Sequence, residues 1–362
     1  MFTGEEKQNF VSISKFAGER FDLIQAGGGN SSVKLDDSKM LIKASGHLLS
    51  EIDENNGYVV VDIKKVLAIF EDSAIIGEEN KRKRENRATE LMKDSIVLSN
   101  DRNRPSIETF LHAILYKNTL HTHPISVNIL TCKNNWEEQL KDIFPNALFV
   151  KYKTPGIDLA LELKKECVKY QRQIGQLPKI IFLQSHGLII SSNDPREIFT
   201  LTNSVNRVIE NNIGVDLSRY KLTNELTTIM KEKGSNQVIS YLSEDGYLTK
   251  KITNNRSLFY QPPLSPDTLV FCGYHAVEVA DESEAYKIEA YYDMYHKIPK
   301  VVIYKGYLFF VSNTLKKAKE AEEVFKSHIM ILEEMGGNES PLPLSELKYL
   351  DNWEAEKFRQ GV

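Results

Sequence analysis

The chain has 362 residues, 41% of them hydrophobic and 27% charged, with a formal net charge of −4. That is the balance of an ordinary soluble globular protein with room for two domains, and it argues against nucleic acid as the main partner. Residues 1–20 contain no signal-peptide core, no apolar run is long enough to span a bilayer, and Cys132, Cys167 and Cys272 are too scattered for a disulfide framework or a CxxC metal site. A cytoplasmic protein with no membrane partner is therefore expected.

From the start to about residue 215, short β-rich runs alternate with helical ones, the pattern of an α/β class. Gly27-Gly28-Gly29-Asn30-Ser31-Ser32 comes first, followed by Val33-Lys34-Leu35. Glycines let backbone amides approach an anion and Asn and Ser add donors, although a plain turn is the commoner use of such a run. A strand over 40–43 leads into Lys43-Ala44-Ser45-Gly46, which offers a cation, a hydroxyl and a flexible amide to the same anion, or forms a generic strand-end turn. A strand is expected over 58–62, and the basic run 81–84 reads as a solvated helix face.

In residues 105–116, Ile107, Phe110, Leu111, Ile114 and Leu115 recur with helical period, predicting a core-packed helix with Ser106 near its N-cap. Glu108, His112 and Tyr116 share another face, and Glu108 either reaches a metal or merely complements the helix dipole. His121 and His123 lie two residues apart, so an extended strand points both to one side. After strands over 148–152 and 179–183 comes His186, in Gln184-Ser185-His186-Gly187. Three imidazoles on zinc leave a fourth position for water or substrate, the pattern of a catalytic site, although an HxH pair alone is a weak signal.

A helix is predicted over 194–211, with Asp194 as cap, Pro195 in the first turn, Glu197 as capping-box partner, and a stripe of Ile198, Leu201, Val205, Val208 and Ile209. Periodicity lapses around 214–220, placing a boundary near 216 between a domain at 1–215 and a C-terminal α+β region at 216–362 packing on it. That region should hold a helix over 223–243, a loop at 261–266, strands over 268–272, 300–304 and 307–312 with a Lys305-Gly306 turn, and a helix over 314–334. No internal repeat is visible. His47, His275, His296 and His328 lack ligand spacing, and Tyr291, Tyr292 and Tyr295 read as packing.

Taken in order, Gly29-Asn30-Ser31, Ser45-Gly46, Glu108, His121 with His123, and His186 resemble the signature of the class II aldolase and adducin family. The likeness is closer to the aldolase portion of bifunctional rhamnulose-phosphate aldolase/dehydrogenases, carried by residues 42–46, 105–109, 121–124, 301–310 and 351–357. The resemblance implies a three-layer α/β fold and Zn2+, or another divalent metal, on His121, His123 and His186. It implies Glu108 as the proton-transfer residue, and a phosphate held by Gly29, Asn30, Ser31, Lys43, Ser45, Gly46 and Ser106. It further implies a small phosphorylated sugar substrate and a homo-oligomer, often a tetramer, in which an unassigned tyrosine assists. Aldol cleavage of a ketose 1-phosphate is the expected reaction. A sugar-phosphate epimerase, dehydratase or decarboxylase on the same scaffold is the alternative, and a non-catalytic adducin-like module is a third reading against which the retained histidines count. Two departures stand out: Val362 leaves no room for a dehydrogenase half, so nicotinamide chemistry is not expected, and Ile107 stands where simpler members carry a phosphate-binding serine.

Overall fold

The structure is a computed structural model that describes residues 4–99, 103–232 and 238–352. Residues 353–357, part of the terminal stretch that carries the family likeness, lie outside the described residues. The chain divides into two compact units, Met1–Leu217 and Ser218–Val362.

The first unit is built on eight strands: Asn30–Lys34 (β1), Lys39–Lys43 (β2), Tyr58–Asp62 (β3), Ile96–Ser99 (β4), Asn118–Thr122 (β5), Leu148–Val150 (β6), Ile180–Leu183 (β7) and Gly187–Ser192 (β8). They form one mixed sheet in the order β4-β3-β2-β1-β5-β8-β7-β6, in which β6 and β7 are parallel. Because side chains alternate along a strand, the sheet carries two apolar faces. Met40, Ile42, Val59, Val61, Ile181 and Ile189 pack under the helices Ile63–Ile69, Lys81–Asp94, Thr109–Ala113 and Ile157–Ile174. Leu41, Val60, Leu120, Phe182, Leu188 and Ile190 pack under Gly4–Gly18, Ile125–Thr131, Trp136–Ile143 and Pro195–Ile213. The result is the three-layer α/β arrangement expected.

The capping signals at Asp194 and Pro195 are used as read: the Asp194 side chain accepts from the Arg196 amide at 2.9 Å. The stripe differs in composition, since Val208 is exposed while Thr202 and Asn206 are buried. Those two polar groups are matched internally: Thr202 Oγ1 donates to the Ile198 carbonyl at 2.6 Å, and Ser126 Oγ donates to Asn206 Oδ1 at 2.6 Å.

The helix expected over 105–116 is only Thr109–Ala113. Pro105 is held extended by a bridge to Ala44, so the helix starts late, Glu108 becomes its N-cap residue, and Ile107 is 50% exposed instead of buried.

The second unit contains Ile239–Leu242 (β9), Val277–Val279 (β10), Val301–Tyr304 (β11) and Tyr307–Ser312 (β12), in the order β10-β11-β12-β9. Two expectations fail here. Residues 223–243 are not one helix, since the helix is Ser218–Glu232 and β9 follows. Residues 268–272 are not a strand but lie in the helix Pro266–Cys272, because Ser265 Oγ accepts from the Thr268 amide at 3.3 Å and Pro266 suits the first turn. No repeat is visible in the sequence, yet the two sheets share an arrangement. The order β9-β12-β11-β10 has the connectivity and strand directions of β5-β8-β7-β6, with β10 and β11 parallel as β6 and β7 are.

A candidate metal centre at the end of β5

His121 and Asn30 are directly opposite each other where β1 and β5 pair, and His123 follows the end of β5. His186 sits in the three-residue turn between β7 and β8, after Ser185, which adopts a left-handed φ of 53°. That conformation is unusual for a residue with a side chain and is stored where the surroundings over-determine it. Here the Ser185 amide donates to the Thr131 carbonyl at 3.1 Å and the Gln184 amide to the Val150 carbonyl at 3.0 Å. Gly187 is required next: a Cβ there would lie 2.2 Å from the Thr122 carbonyl oxygen.

These placements bring three Nε2 atoms together, His121 to His123 at 3.1 Å and His121 to His186 at 3.3 Å. His121 Nδ1 lies 3.1 Å from the Leu188 carbonyl, an acceptor, so Nδ1 carries the ring proton and Nε2 turns its lone pair into the cluster. His121 Nε2 can therefore accept an N–H from His123 or His186 or share a cation with them. Ligands about 2.0 to 2.1 Å from a tetrahedral zinc lie roughly 3.3 Å apart, close to the separations found. The three imidazoles thus form a group that could hold one metal ion.

Glu108 borders the cluster, with Oε1 3.2 Å from His186 Nε2 and Oε2 3.7 Å from His121 Nε2. Asn30 Nδ2 donates to Glu108 Oε2 at 2.5 Å, and Asn30 Oδ1 is buried with no hydrogen-bond partner. Burial raises the Glu108 pKa, while the imidazoles of His121 and His186, when they carry a proton, and the Asn30 amide lower it, so that the balance falls below the ordinary carboxylate range. Burial lowers His121 far below the usual imidazole value against the pull of Glu108, and it lowers His123 as well. Neutral imidazole is the form that ligates a metal.

The expected phosphate cradle is rearranged. Asn30 and Ser31 belong to β1 and not to a loop, and alternation sends them to opposite faces. Ser31 Oγ meets Ser14 Oγ at 2.6 Å beneath the first helix, so its side chain faces away from Asn30 and Glu108. Lys43 is 3% exposed, its Nζ donates to the Ala44 carbonyl at 3.4 Å, and burial lowers its pKa against the attraction of Glu108. Ser45 and Gly46 are exposed, Gly46 with a φ of 85°. Ser106 lies in the irregular segment beside them, its amide donating to the Lys43 carbonyl at 3.3 Å and its Oγ accepting from the Glu108 amide at 3.3 Å. Gly29, with a φ of 68°, packs against β5, where a Cβ would lie 2.6 Å from the His121 carbonyl oxygen. Gly28 touches the cluster itself, a Cβ there falling 2.8 Å from His123 Nδ1.

Sequence reasoning missed the Leu188 carbonyl, the Asn30–Glu108 bond, and the packing roles of Gly28 and Gly187. The dipeptide His186-Gly187 was the available signal for the last.

A sheet between two helical layers, with a histidine triad and a carboxylate where its central strands end, defines an α/β protein with a group of side chains that could hold a metal ion. The Class II Aldolase and Adducin N-terminal domain matches residues 8–213, and the chain belongs to that family. It is 24% identical over 230 residues to the uncharacterized oxidoreductase YuxG of Bacillus subtilis (strain 168), a match covering 59% of this chain and 30% of that relative's length. The N-terminal class II aldolase domain of a conserved protein from Thermoplasma acidophilum is 26% identical, covering 59% of this chain and 95% of that one with a TM-score of 0.48. An L-fuculose 1-phosphate aldolase is 19% identical, covering 63% and 98% with a TM-score of 0.40. No helix among the described residues is long and apolar enough to cross a membrane.

Proposed function

We propose that the chain is a divalent-metal-dependent aldolase that cleaves a phosphorylated ketose to dihydroxyacetone phosphate and an aldehyde, or joins them. The observation that carries this reading is Glu108, a buried carboxylate 3.2 Å and 3.7 Å from two imidazoles of the triad.

His121, His123 and His186 would hold the ion, with zinc the best fit to an all-imidazole donor set. When bound, it supplies Lewis-acid stabilisation of the negative charge that develops on the ketone oxygen. Glu108 moves the proton at the reacting carbon, being the carboxylate that borders the imidazoles that would hold the ion. Asn30 fixes the carboxylate through Oε2, which leaves Oε1 directed at the His186 side. The strand end around Ser45, Gly46 and Ser106 holds the phosphate, with the Gly29 backbone and the Lys43 charge contributing at shorter range to Glu108. A homo-oligomer, a tetramer on the family pattern, completes this reading.

The test is metal analysis of the pure protein joined to a screen of ketose 1-phosphates for release of dihydroxyacetone phosphate. Release that is lost on chelation and restored by zinc is the expected result. A fully metal-loaded protein that cleaves none of them would overturn the reading.

A further inference from the structure

The second unit repeats, strand by strand, the half of the first unit that carries the histidines. The registers correspond: His121 pairs with Ile189 as Leu242 pairs with Phe309, Leu183 with Gly187 as Tyr304 with Tyr307, and Val150 with Leu183 as Val279 with Tyr304. Bonds outside the ladders recur too. The Ser191 amide donates to the Lys179 carbonyl at 2.9 Å, and the Val311 amide to the Lys300 carbonyl at 2.8 Å. The Gln184 amide donates to the Val150 carbonyl at 3.0 Å, and the Lys305 amide to the Val279 carbonyl at 3.0 Å. Locally the sequences share Pro178-Lys179 with Pro299-Lys300, and Ser192-Asn193 with Ser312-Asn313.

This correspondence puts Leu242 where the first unit has His121, and Glu244 where it has His123. The turn that presents His186 becomes the two-residue turn Lys305-Gly306, which has no ligand to offer. None of these equivalent positions holds a histidine, and the space between them is open. A cavity of about 670 Å³ lies there, lined by Leu242, Glu244, Gly306 and Tyr307 from the equivalent positions and by Arg219 and Lys250.

We propose that this cavity is a second, metal-free binding site, taking a small phosphorylated sugar. Its volume lies in the range of small-molecule sites. Arg219 and Lys250 supply two cations for a phosphate against the one carboxylate of Glu244, Asn254 supplies a neutral amide, and Ser243 and Thr249, whose hydroxyls already donate to Glu322 and to the Asp245 carbonyl, are left as acceptors for hydroxyls. Arg219 donates through Nη2 to Glu244 and to the Tyr220 hydroxyl, each at 2.8 Å, which sets the direction of the guanidinium fork. A guanidinium has five N–H donors, so this pairing does not exhaust it. The choice of a sugar phosphate rests on the aldolase reading, whereas the existence of the cavity does not.

The test is calorimetric titration of the full chain, stripped of metal by a chelator, with dihydroxyacetone phosphate and with D-fructose 1-phosphate. Binding of at least one probe is expected, weakened tenfold or more by Arg219→Ala with Lys250→Ala, and unchanged by Lys165→Ala, an exposed cation of the first unit outside the histidine site. Lys250→Glu alone, at an exposed position, gives the same comparison should the double variant fail to fold. Absence of binding to the stripped protein, or binding that the Arg219 and Lys250 variants leave unchanged, would overturn the proposal. Failure of the aldolase reading is seen separately, as lack of turnover by the metal-loaded wild type.

Discussion

At the scale of single residues, the site is decided by which groups Glu108 touches. Glu108→Gln preserves shape and removes the proton acceptor, so it should keep fold and metal while lowering kcat by about 10²- to 10⁴-fold; near-normal turnover by that variant would remove Glu108 from the chemistry. Asn30 was read from sequence as a phosphate contact, but its amide is committed to Glu108. Asn30→Ala should therefore lower kcat, by releasing the carboxylate, for phosphorylated and unphosphorylated ketose alike. Ser45→Ala should instead raise KM for the phosphorylated substrate alone, since a remote contact supplies binding and not chemistry. Steady-state kinetics on the two substrates separates these roles.

His112 is a different case: it is fully buried, with Nδ1 2.7 Å from Ser32 Oγ, and burial pushes its pKa down to about 4, with Glu108 opposing and Lys34 reinforcing the shift. Between the ordinary imidazole value and about 4, the unfolded chain binds a proton that the folded chain refuses. Stability should thus be level above the ordinary value and fall as pH drops through that window, by roughly 3 kcal/mol in all. Denaturant midpoints across the window check this, and a His112→Gln variant should show a flatter profile.

At the scale of elements, the site depends on two backbone positions that bring β8 against β5. Gly187→Ala would drive a Cβ to 2.2 Å from the Thr122 carbonyl, a contact with backbone that no side-chain rotation relieves. It should destabilise the protein by about 1–3 kcal/mol and reduce metal occupancy, because the strand that carries His121 and the turn that carries His186 can no longer close up. Full occupancy with unchanged stability would show that the strands have room to spare.

The histidine cluster was legible because its logic is local: two histidines at strand spacing, and a third before a glycine. Glu108 was legible as a residue but not in its setting, since the bridge between Ala44 and Pro105 that delays its helix joins segments far apart in sequence. Ser31 was misplaced for a related reason: reading residues 27–32 as one loop ignored the alternation that begins at Asn30. The short apolar run 268–272 fits strand or helix equally by hydrophobicity, and only the Ser265 cap and Pro266 favour the helix.

At the scale of the whole molecule, the repeat was illegible because what the two halves share is strand register and connectivity, which many apolar sequences satisfy. What differs, the histidines, is what draws the eye. The same division bears on stability. A metal that binds the native first unit and not its unfolded chain stabilises that unit by mass action. The second unit has no three-histidine group among its described residues and gains nothing directly. If the two compact units unfold separately, calorimetry of the metal-loaded protein should show two transitions, and a chelator should lower one of them by several degrees and leave the other in place. His186→Ala should reproduce the chelated profile without chelator. A single transition that moves as a whole would mean that the units unfold as one cooperative body, so that the metal supports the repeat as well as the site.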